Sequence, residues 1–415
     1  FRMWAYTYYL VELTWSDIAH GENLIEGIEG NLMRKSIQVV AASLTMIIGF
    51  TLLPSAQAAN PLPQEFYTNL NNKYLNNPSV LIVNRANMEV VFDQGGDKLK
   101  APASTIKLVS AVMAAMVLDT TTTFNTAIYS TEKSNTFTLI SNNDPWVTSS
   151  VKERDRSKRT YLPQLVKDAI AGTNLKRIYL NYSGIEYSDI RALRRAFGRK
   201  LYITAKAIPA TTDAMSLTVS KISESQSPQL QNMLKWCLLY SDNVLAQRLM
   251  MLAVEKAGFA KNKTGMNDFA VKQLGLMGVN YAGLHLEDAS GLSSADQISP
   301  RTLVELLFKI RTEPKLQIVY DSLPTSGESG TLVNRFHGSA AEARGLVKAK
   351  TGSTRHTVAL AGFASAKDEE YVFAIISNNV SSRKSRQDAA RAAIDRMLSI
   401  LIKTDVQAPT PEILN

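Results

Sequence analysis

Apolar, β-branched runs near the two ends of the chain bracket a middle with helical periodicity. Ser79-Val80-Leu81-Ile82-Val83 and Met88-Glu89-Val90-Val91-Phe92 read as an antiparallel hairpin turning through the polar residues 84–87. Residues 357–364 and 371–377 read as two further strands, so one antiparallel sheet draws on both ends of the chain. A first helix is expected over 63–72 and an amphipathic last one over 387–401. Between them, Leu108, Val109, Val112 and Met113 open a helix so apolar that it must be buried, running to about Leu118. Leu230, Leu234, Leu238, Leu245 and Leu249 carry helical spacing over 229–257, and 267–276 and 300–310 continue the helical half. Residues 120–214 break this pattern. They open on four threonines, hold a charge run at 152–159, and offer only strands at 124–130, 136–140 and 177–180 with a helix at 162–170. This is expected to be a small inserted α+β subdomain, its charge run a solvated loop. The scaffold proper is then 59–119 with 215–403, followed by a tail at 404–415.

The N-terminus changes what counts as working sequence. Met33-Arg34-Lys35 is a basic start, 37–53 is an almost uncharged apolar run, Pro54 breaks it, and Ala56-Gln57-Ala58 is a small-x-small cleavage site. That order makes 33–58 a secretory signal peptide and predicts periplasmic localisation. Residues 1–32 are expected to be upstream translation without a role in the fold. Removal of 1–58 leaves 43 basic and 32 acidic residues, a net charge of +11. An exported chain of that charge suits a polyanionic wall or a peripheral membrane surface, and argues against nucleic acid as a partner. Cys237 is the single cysteine, so no intrachain disulfide and no cysteine-based metal site is expected. No His-Glu-x-x-His pair and no Gly-x-Ser-x-Gly elbow occurs, which argues against a zinc hydrolase and an α/β-hydrolase.

Candidate chemistry concentrates at three places. Ser104 opens the buried helix after Pro102, and Lys107 follows one turn on along the same face. A serine needs an adjacent base to become a nucleophile, and a partly buried lysine can be that base. The same spacing recurs at Ser130–Lys133, Ser149–Lys152 and Ser381–Lys384, none of which opens an apolar helix. Ser241-Asp242-Asn243 interrupts the apolar stretch at 229–257 and implies a turn directed into a cleft. Ser141–Asn143 and Ser377–Asn379 repeat its spacing without that context. Lys350-Thr351-Gly352-Ser353 lies on a strand, where Gly352 lets another group approach the backbone. Lys263-Thr264-Gly265 repeats the pattern in what reads as a polar loop. His356, Cys237, Trp146 and Trp236 read as packing residues.

Taken in order, the three motifs resemble the serine constellation of penicillin-binding proteins and β-lactamases. Asp288-Ala289-Ser290-Gly291-Leu292-Ser293, Gly330-Thr331-Leu332, Ala359-Leu360-Ala361-Gly362-Phe363 and Asn143-Asp144-Pro145 narrow the resemblance. It is to the D-alanyl-D-alanine carboxypeptidase/endopeptidase (DacB-type) low-molecular-mass penicillin-binding proteins. The likeness covers roughly 79–401 and is thin over 150–214, where the spacing from Ser104 to Ser241 is shorter than the family's. Asp288-Ala289 also stands where the family prefers Asp-Gly.

The resemblance implies an α/β, serine β-lactamase/DD-peptidase-like fold: an antiparallel sheet flanked by helices, a helical half, and the inserted subdomain. It implies Ser104 as nucleophile, Lys107 as base, and Ser241 as relay to the leaving amine. Asn243, Lys350, Thr351, Gly352 and Ser353 would bind substrate, with oxyanion donors from the Ser104 and Ser353 backbone. The implied substrates are peptidoglycan stem peptides ending in D-Ala-D-Ala, with β-lactam antibiotics as acylating mimics. No metal or organic cofactor is implied. A serine β-lactamase is the alternative within enzymes. The deacylating Glu-x-x-Leu-Asn pattern of one such class is missing after residue 58, and Ser-x-Asn stands where another class has Tyr-x-Asn. A non-catalytic wall-binding protein on the same fold is the alternative outside enzymes.

Overall fold

In a computed structural model, residues 62–404 are described. The expected leader and signal segments, residues 59–61 and all of the tail except Thr404 lie outside them. The first sheet has the order β10 (Val347–Ser353), β11 (Thr357–Ser365), β12 (Glu370–Asn378), β1 (Ser79–Asn84), β2 (Val90–Gln94), with every neighbour antiparallel. Side chains alternate across a strand, and here both faces are covered. Val80, Ile82, Leu360, Phe373 and Ile375 pack with Phe66 and with Ile394, Met397 and Leu398 of the last helix. Leu81, Ala361, Val372, Ala374 and Ile376 pack with the helical half. Two buried faces need two sets of apolar positions, which is why these strands are continuous apolar runs rather than alternating ones.

The helical half contains Lys107–Val117, Leu230–Tyr240, Asn243–Lys256, Lys263–Leu276, Pro300–Thr312 and the short Gln317–Asp321. In the first of these everything from Lys107 to Ala115 is buried. Fully burying one Leu or Met side chain is worth about 1.5–3 kcal/mol, so this helix anchors the half and holds Lys107 inside it.

The second sheet has the order β8 (Tyr202–Ala207), β7 (Arg177–Ser183), β4 (Thr136–Ser141), β3 (Asn125–Ser130), β9 (Lys221–Gln226). β7 runs parallel to β4 and β8, and β3 antiparallel to β4 and β9. Leu165 and Val166 of Leu162–Ala169, with Ile190 and Leu193 of Tyr187–Phe197, cover one face through Ile178, Leu180 and Ile203. β5 (Val147–Thr148) and β6 (Thr160–Tyr161) form a small parallel pair beside it.

Several expectations are revised. The charge run is not a loop: Val151–Ser157 is helical, with Ser150 Oγ accepting from the Glu153 N–H. A side-chain cap and an acidic first turn suffice for a short exposed helix. Lys263-Thr264-Gly265 likewise opens a helix, capped by Asn262 Oδ1 on the Gly265 N–H. The α-helix expected just after Pro102 starts at Lys107, because Ala103–Ile106 forms a 3-10 turn first. The boundary expected at 214 falls short of β9, whose residues are largely exposed and gave no apolar signal.

Candidate active site

Ser104 sits in that 3-10 turn, on a backbone held from three sides. Ala103 has φ +49°, a left-handed conformation that few non-glycine residues adopt. Thr105 Oγ1 donates to the Pro102 carbonyl at 2.8 Å. A Cβ on Gly291 would stand 1.9 Å from the Ala103 carbonyl oxygen, and one on Gly352 2.6 Å from the Pro102 oxygen. Gly352 therefore permits the close approach read from sequence, and the group that approaches is the entry to the nucleophile turn.

Lys107 is the centre of the cluster. Its Nζ lies 2.7 Å from Ser104 Oγ and 2.7 Å from Asn243 Oδ1, and bonds the Ser290 carbonyl. Nζ donates to all three, while the Ser104 hydroxyl donates to the Ser290 carbonyl at 3.3 Å. A neutral amine has two N–H groups and one lone pair. Once the amine is neutral, its two N–H groups can stay on the two carbonyl oxygens and its lone pair is then free for the serine proton. Burial lowers the Lys107 pKa to about 8, against the raising effect of the nearby carboxylates of Asp288, Asp242 and Asp296. The Ser290 carbonyl is aimed by its own loop. Asp288 Oδ1 accepts from the Ser290 N–H and hydroxyl, both at 2.7 Å, and from the Gly291 N–H at 2.8 Å, while Gln247 Oε1 accepts from the Ala289 N–H.

The Ser-Asp-Asn triplet is the joint between two helices. Ser241 ends Leu230–Tyr240 in left-handed conformation at φ +56°, and Asp242 caps the next helix by accepting from the Leu245 N–H at 2.9 Å. Asn243 is that helix's first residue. The polar interruption in the apolar run is thus a C-cap and an N-cap back to back. Ser241 Oγ accepts from Lys350 Nζ at 3.0 Å, and the same amine donates to the Thr351 carbonyl at 2.9 Å. Lys350 is fully buried; burial and then the charge of Lys107 bring its pKa down to about 7. Ser104, Lys107 and Asn243 so form one hydrogen-bonded group and Ser241 with Lys350 a second beside it, the two amines close enough that the charge of Lys107 lowers the Lys350 pKa.

Thr351 and Ser353 face partners that sequence reasoning missed. Thr351 Oγ1 donates to Thr331 Oγ1 at 2.8 Å, and Ser353 Oγ accepts from Arg391 Nη2 at 2.6 Å. Thr331 lies in the Gly330-Thr331-Leu332 stretch, where the sequence alone assigns it no role. Arg391 is one cation among several on the last helix, and nothing local distinguishes it. Arg159 is the third omission. It lies in the charge run, yet it is buried against Asp242 in an ion pair and stacks 4.7 Å from the Trp146 ring. His356 bonds the Val380 carbonyl at a turn, Trp146 and Trp236 meet edge to face at 6.0 Å, and Cys237 is buried. The repeated motifs lie elsewhere: Lys263 pairs with Glu287 on the surface, and Ser130 bonds Ser220. Among the described residues no group of His, Cys, Asp and Glu is placed to hold a metal ion.

The model of the D-Ala-D-Ala carboxypeptidase 3 (S13) family matches residues 69–157 and 204–401. The chain is 35% identical over 185 residues to carboxypeptidase DacB of Mycolicibacterium smegmatis, covering 43% of this chain and 39% of that protein. It is 36% identical over 163 residues to a D-alanyl-D-alanine carboxypeptidase of an Actinomadura strain, covering 38% and 30%. The matched stretches thus span well under half the length of these curated relatives. The fold is that of penicillin binding protein 4 of Haemophilus influenzae, with TM-score 0.61 at 18% identity over 81% of this chain and 98% of that one. A predatory endopeptidase of Bdellovibrio bacteriovorus shares it at TM-score 0.54, 17% identity, and 79% and 93% coverage. The unmatched residues 158–203 fall inside the stretch where the sequence likeness is thin.

Proposed function

The chain belongs to the D-Ala-D-Ala carboxypeptidase 3 (S13) family, and from that premise we propose that it hydrolyses the D-Ala-D-Ala bond of peptidoglycan stem peptides through an acyl-enzyme on Ser104. The observation that carries the proposal is the buried Lys107 amine, 2.7 Å from Ser104 Oγ and held there by Asn243 Oδ1 and the Ser290 carbonyl. Ser104 Oγ attacks the scissile carbonyl as Lys107 takes its proton. The backbone N–H groups of Ser104 and Ser353 hold the oxyanion, one such donor being worth about 10²–10³ in rate. Ser241, bonded to Lys350, relays the proton that Lys107 took to the departing D-Ala amine, which leaves Lys107 neutral again. Asn243 holds the substrate amide, and Lys350, Thr351 and Ser353 receive the terminal carboxylate. Water, with Lys107 again accepting a proton, then releases the shortened peptide and regenerates the serine. A β-lactam enters by the same attack on Ser104 and leaves slowly.

Supporting the place of action are the basic start, apolar run and Ala56-Gln57-Ala58 site, which fit export to the periplasm and cleavage after Ala58, with wall or peripheral membrane association. Incubation with defined muropeptides, followed by mass analysis, tests the reaction: loss of one terminal D-Ala is expected. Fluorescent penicillin is expected on Ser104 by peptide mass spectrometry. Rapid turnover of penicillin with no muropeptide cleavage would instead assign a β-lactamase. Neither labelling nor cleavage would leave a wall-binding protein.

A further inference from the structure

The 46 residues that the family model leaves unmatched, 158–203, hold ten basic and three acidic residues, a net +7 against +9 for the whole chain. Some of this charge is internal. Arg159 is paired with Asp242, the Arg194 guanidinium reaches the Ala205 carbonyl, and Asp189 is neutralised by Arg248 at 2.6 Å. The topology gathers six of the other eight toward one end of the second sheet. β4, β7 and β8 are parallel and so begin on the same edge. Lys176 and Arg177 stand at the start of β7, and Arg199 and Lys200 just before β8. The helix Tyr187–Phe197 is the crossover between those two strands, so its last turn returns to the same end with Arg195, one turn beyond Arg191 on the same face. These six residues are all exposed, and among the described residues none of them forms an ion pair. Two tyrosines stand open among them. Tyr179 is 44% and Tyr202 54% exposed, with the Arg177 guanidinium 5.8 Å from the Tyr202 ring.

The cluster points away from the catalytic half. Asp189, at the start of the crossover helix, is tied to Arg248 of Asn243–Lys256, so the joint with the core is at the opposite end. Six residues at 1.5 Å each put Arg195 about 9 Å further along the helix than Asp189. Six like charges, none of them in an ion pair among the described residues, repel one another and do nothing for folding, whereas together they attract an extended anion. Rings with an apolar face and a polar tip are typical of contact surfaces.

We infer that this basic end of the inserted subdomain is a docking surface for the carboxylate-bearing peptidoglycan polymer, separate from the catalytic cleft. The inference rests on the proposed function, since a substrate carried on a polymer offers free carboxylates on neighbouring stems. A second contact holds the enzyme to that polymer and raises the local concentration of cleavable ends. The surface sets how well the polymer is used and leaves a short soluble peptide unaffected.

The test compares the whole protein with a variant carrying Arg191→Gln, Arg195→Gln, Arg199→Gln and Lys200→Gln. Co-sedimentation with purified, insoluble peptidoglycan is measured at low and high salt, beside phosphatidylglycerol vesicles. Hydrolysis of a soluble peptide ending in D-Ala-D-Ala is followed in parallel, with circular dichroism as the check on folding. The unsubstituted protein is expected to bind the polymer in a salt-sensitive way. The variant is expected to lose about tenfold or more of that binding at low salt while soluble-peptide hydrolysis stays unchanged. Equal polymer binding by both proteins would overturn the inference, as would binding to the vesicles in preference to the polymer. If the polymer binding behaves as stated but neither protein cleaves the soluble peptide, the docking surface stands and the proposed reaction falls.

Discussion

The two sheets bury themselves differently. β11 and β12 are covered on both faces, from Thr357 to Ala364 and from Tyr371 to Ser377 without an exposed position. β7 alternates, with Ile178, Leu180 and Tyr182 inside and Arg177 and Tyr179 outside. A sheet packed on both faces has no freedom to shift register without breaking two cores. It is the one that carries Lys350 to Ser353 against the nucleophile turn. A sheet packed on one face can present charge to solvent and still be stable. Catalytic geometry thus sits on the doubly buried sheet and its helices, and solvent chemistry on the other. The two meet at ion pairs from the inserted region to one helix: Arg159 with Asp242, and Asp189 with Arg248.

The largest effect expected is on the buried side. Lys107→Ala removes the base and should lower acylation by both peptide and penicillin about 10²–10⁴-fold, measured as the rate of fluorescent penicillin labelling. Retention of a normal rate would move the base elsewhere. Next comes the joint. Arg159→Met leaves the Asp242 carboxylate buried without its partner, and breaking such a pair costs about 3–5 kcal/mol. Asp242 also caps the helix that begins at Asn243, so acylation should slow together with the loss of thermal stability. If chemical denaturation showed the loss while acylation kept its rate, the inserted region would brace the fold without positioning Ser241 and Asn243.

What was legible follows the same division. The strands and the buried nucleophile helix are read from apolar runs, because a doubly buried element needs them. The motifs are read because each polar triplet interrupts such a run. The inserted region gave weak signals for physical reasons. Tyr187–Phe197 shows only Ile190, Leu193 and Phe197 against the core, amid four charged positions that dilute the stripe. β9 is an edge strand with no buried residue. Arg159 looks like its neighbours in the charge run, and only the fold shows that its side chain turns inward to Asp242. Thr331 and Arg391 reach the motif strand from far along the chain, contacts that no local pattern encodes.

The pH profile sharpens the account of the buried side. With the Lys107 pKa lowered to about 8, the amine is mostly protonated at pH 6 and unable to accept the serine proton. The first-order acylation rate at saturating penicillin should therefore rise about tenfold per unit below pH 8 and level off above it. Lys350, brought down to about 7, acts with the opposite sign under the proposed function, in which its charged form receives the carboxylate. Affinity for ligand should weaken as pH rises past 7 while the limiting rate still climbs. A profile flat from pH 6 to 9 in both quantities would show that neither lysine changes charge there.

The smallest effects separate the substrate strand from its imitation. Thr351 and Lys263 stand in the same Lys-Thr-Gly pattern, and the surroundings alone distinguish them. Thr351 lies on β10 beside Thr331 Oγ1, and under the proposed function its hydroxyl contacts the carboxylate that peptide and penicillin share. Thr351→Val keeps the shape and removes the hydroxyl. One hydrogen bond to a charged group is worth about 1.5–3 kcal/mol, so acylation at limiting ligand should fall roughly ten- to hundredfold with the fold intact. Lys263 is exposed at the start of its helix, with Glu287 at 3.1 Å. An exposed pair of this kind contributes little, so Lys263→Ala should leave stability within about ±0.5 kcal/mol and acylation unchanged. Acylation rates for both variants, with circular dichroism, decide between the strands. Loss of acylation in Lys263→Ala with none in Thr351→Val would put carboxylate recognition on the helix and away from β10.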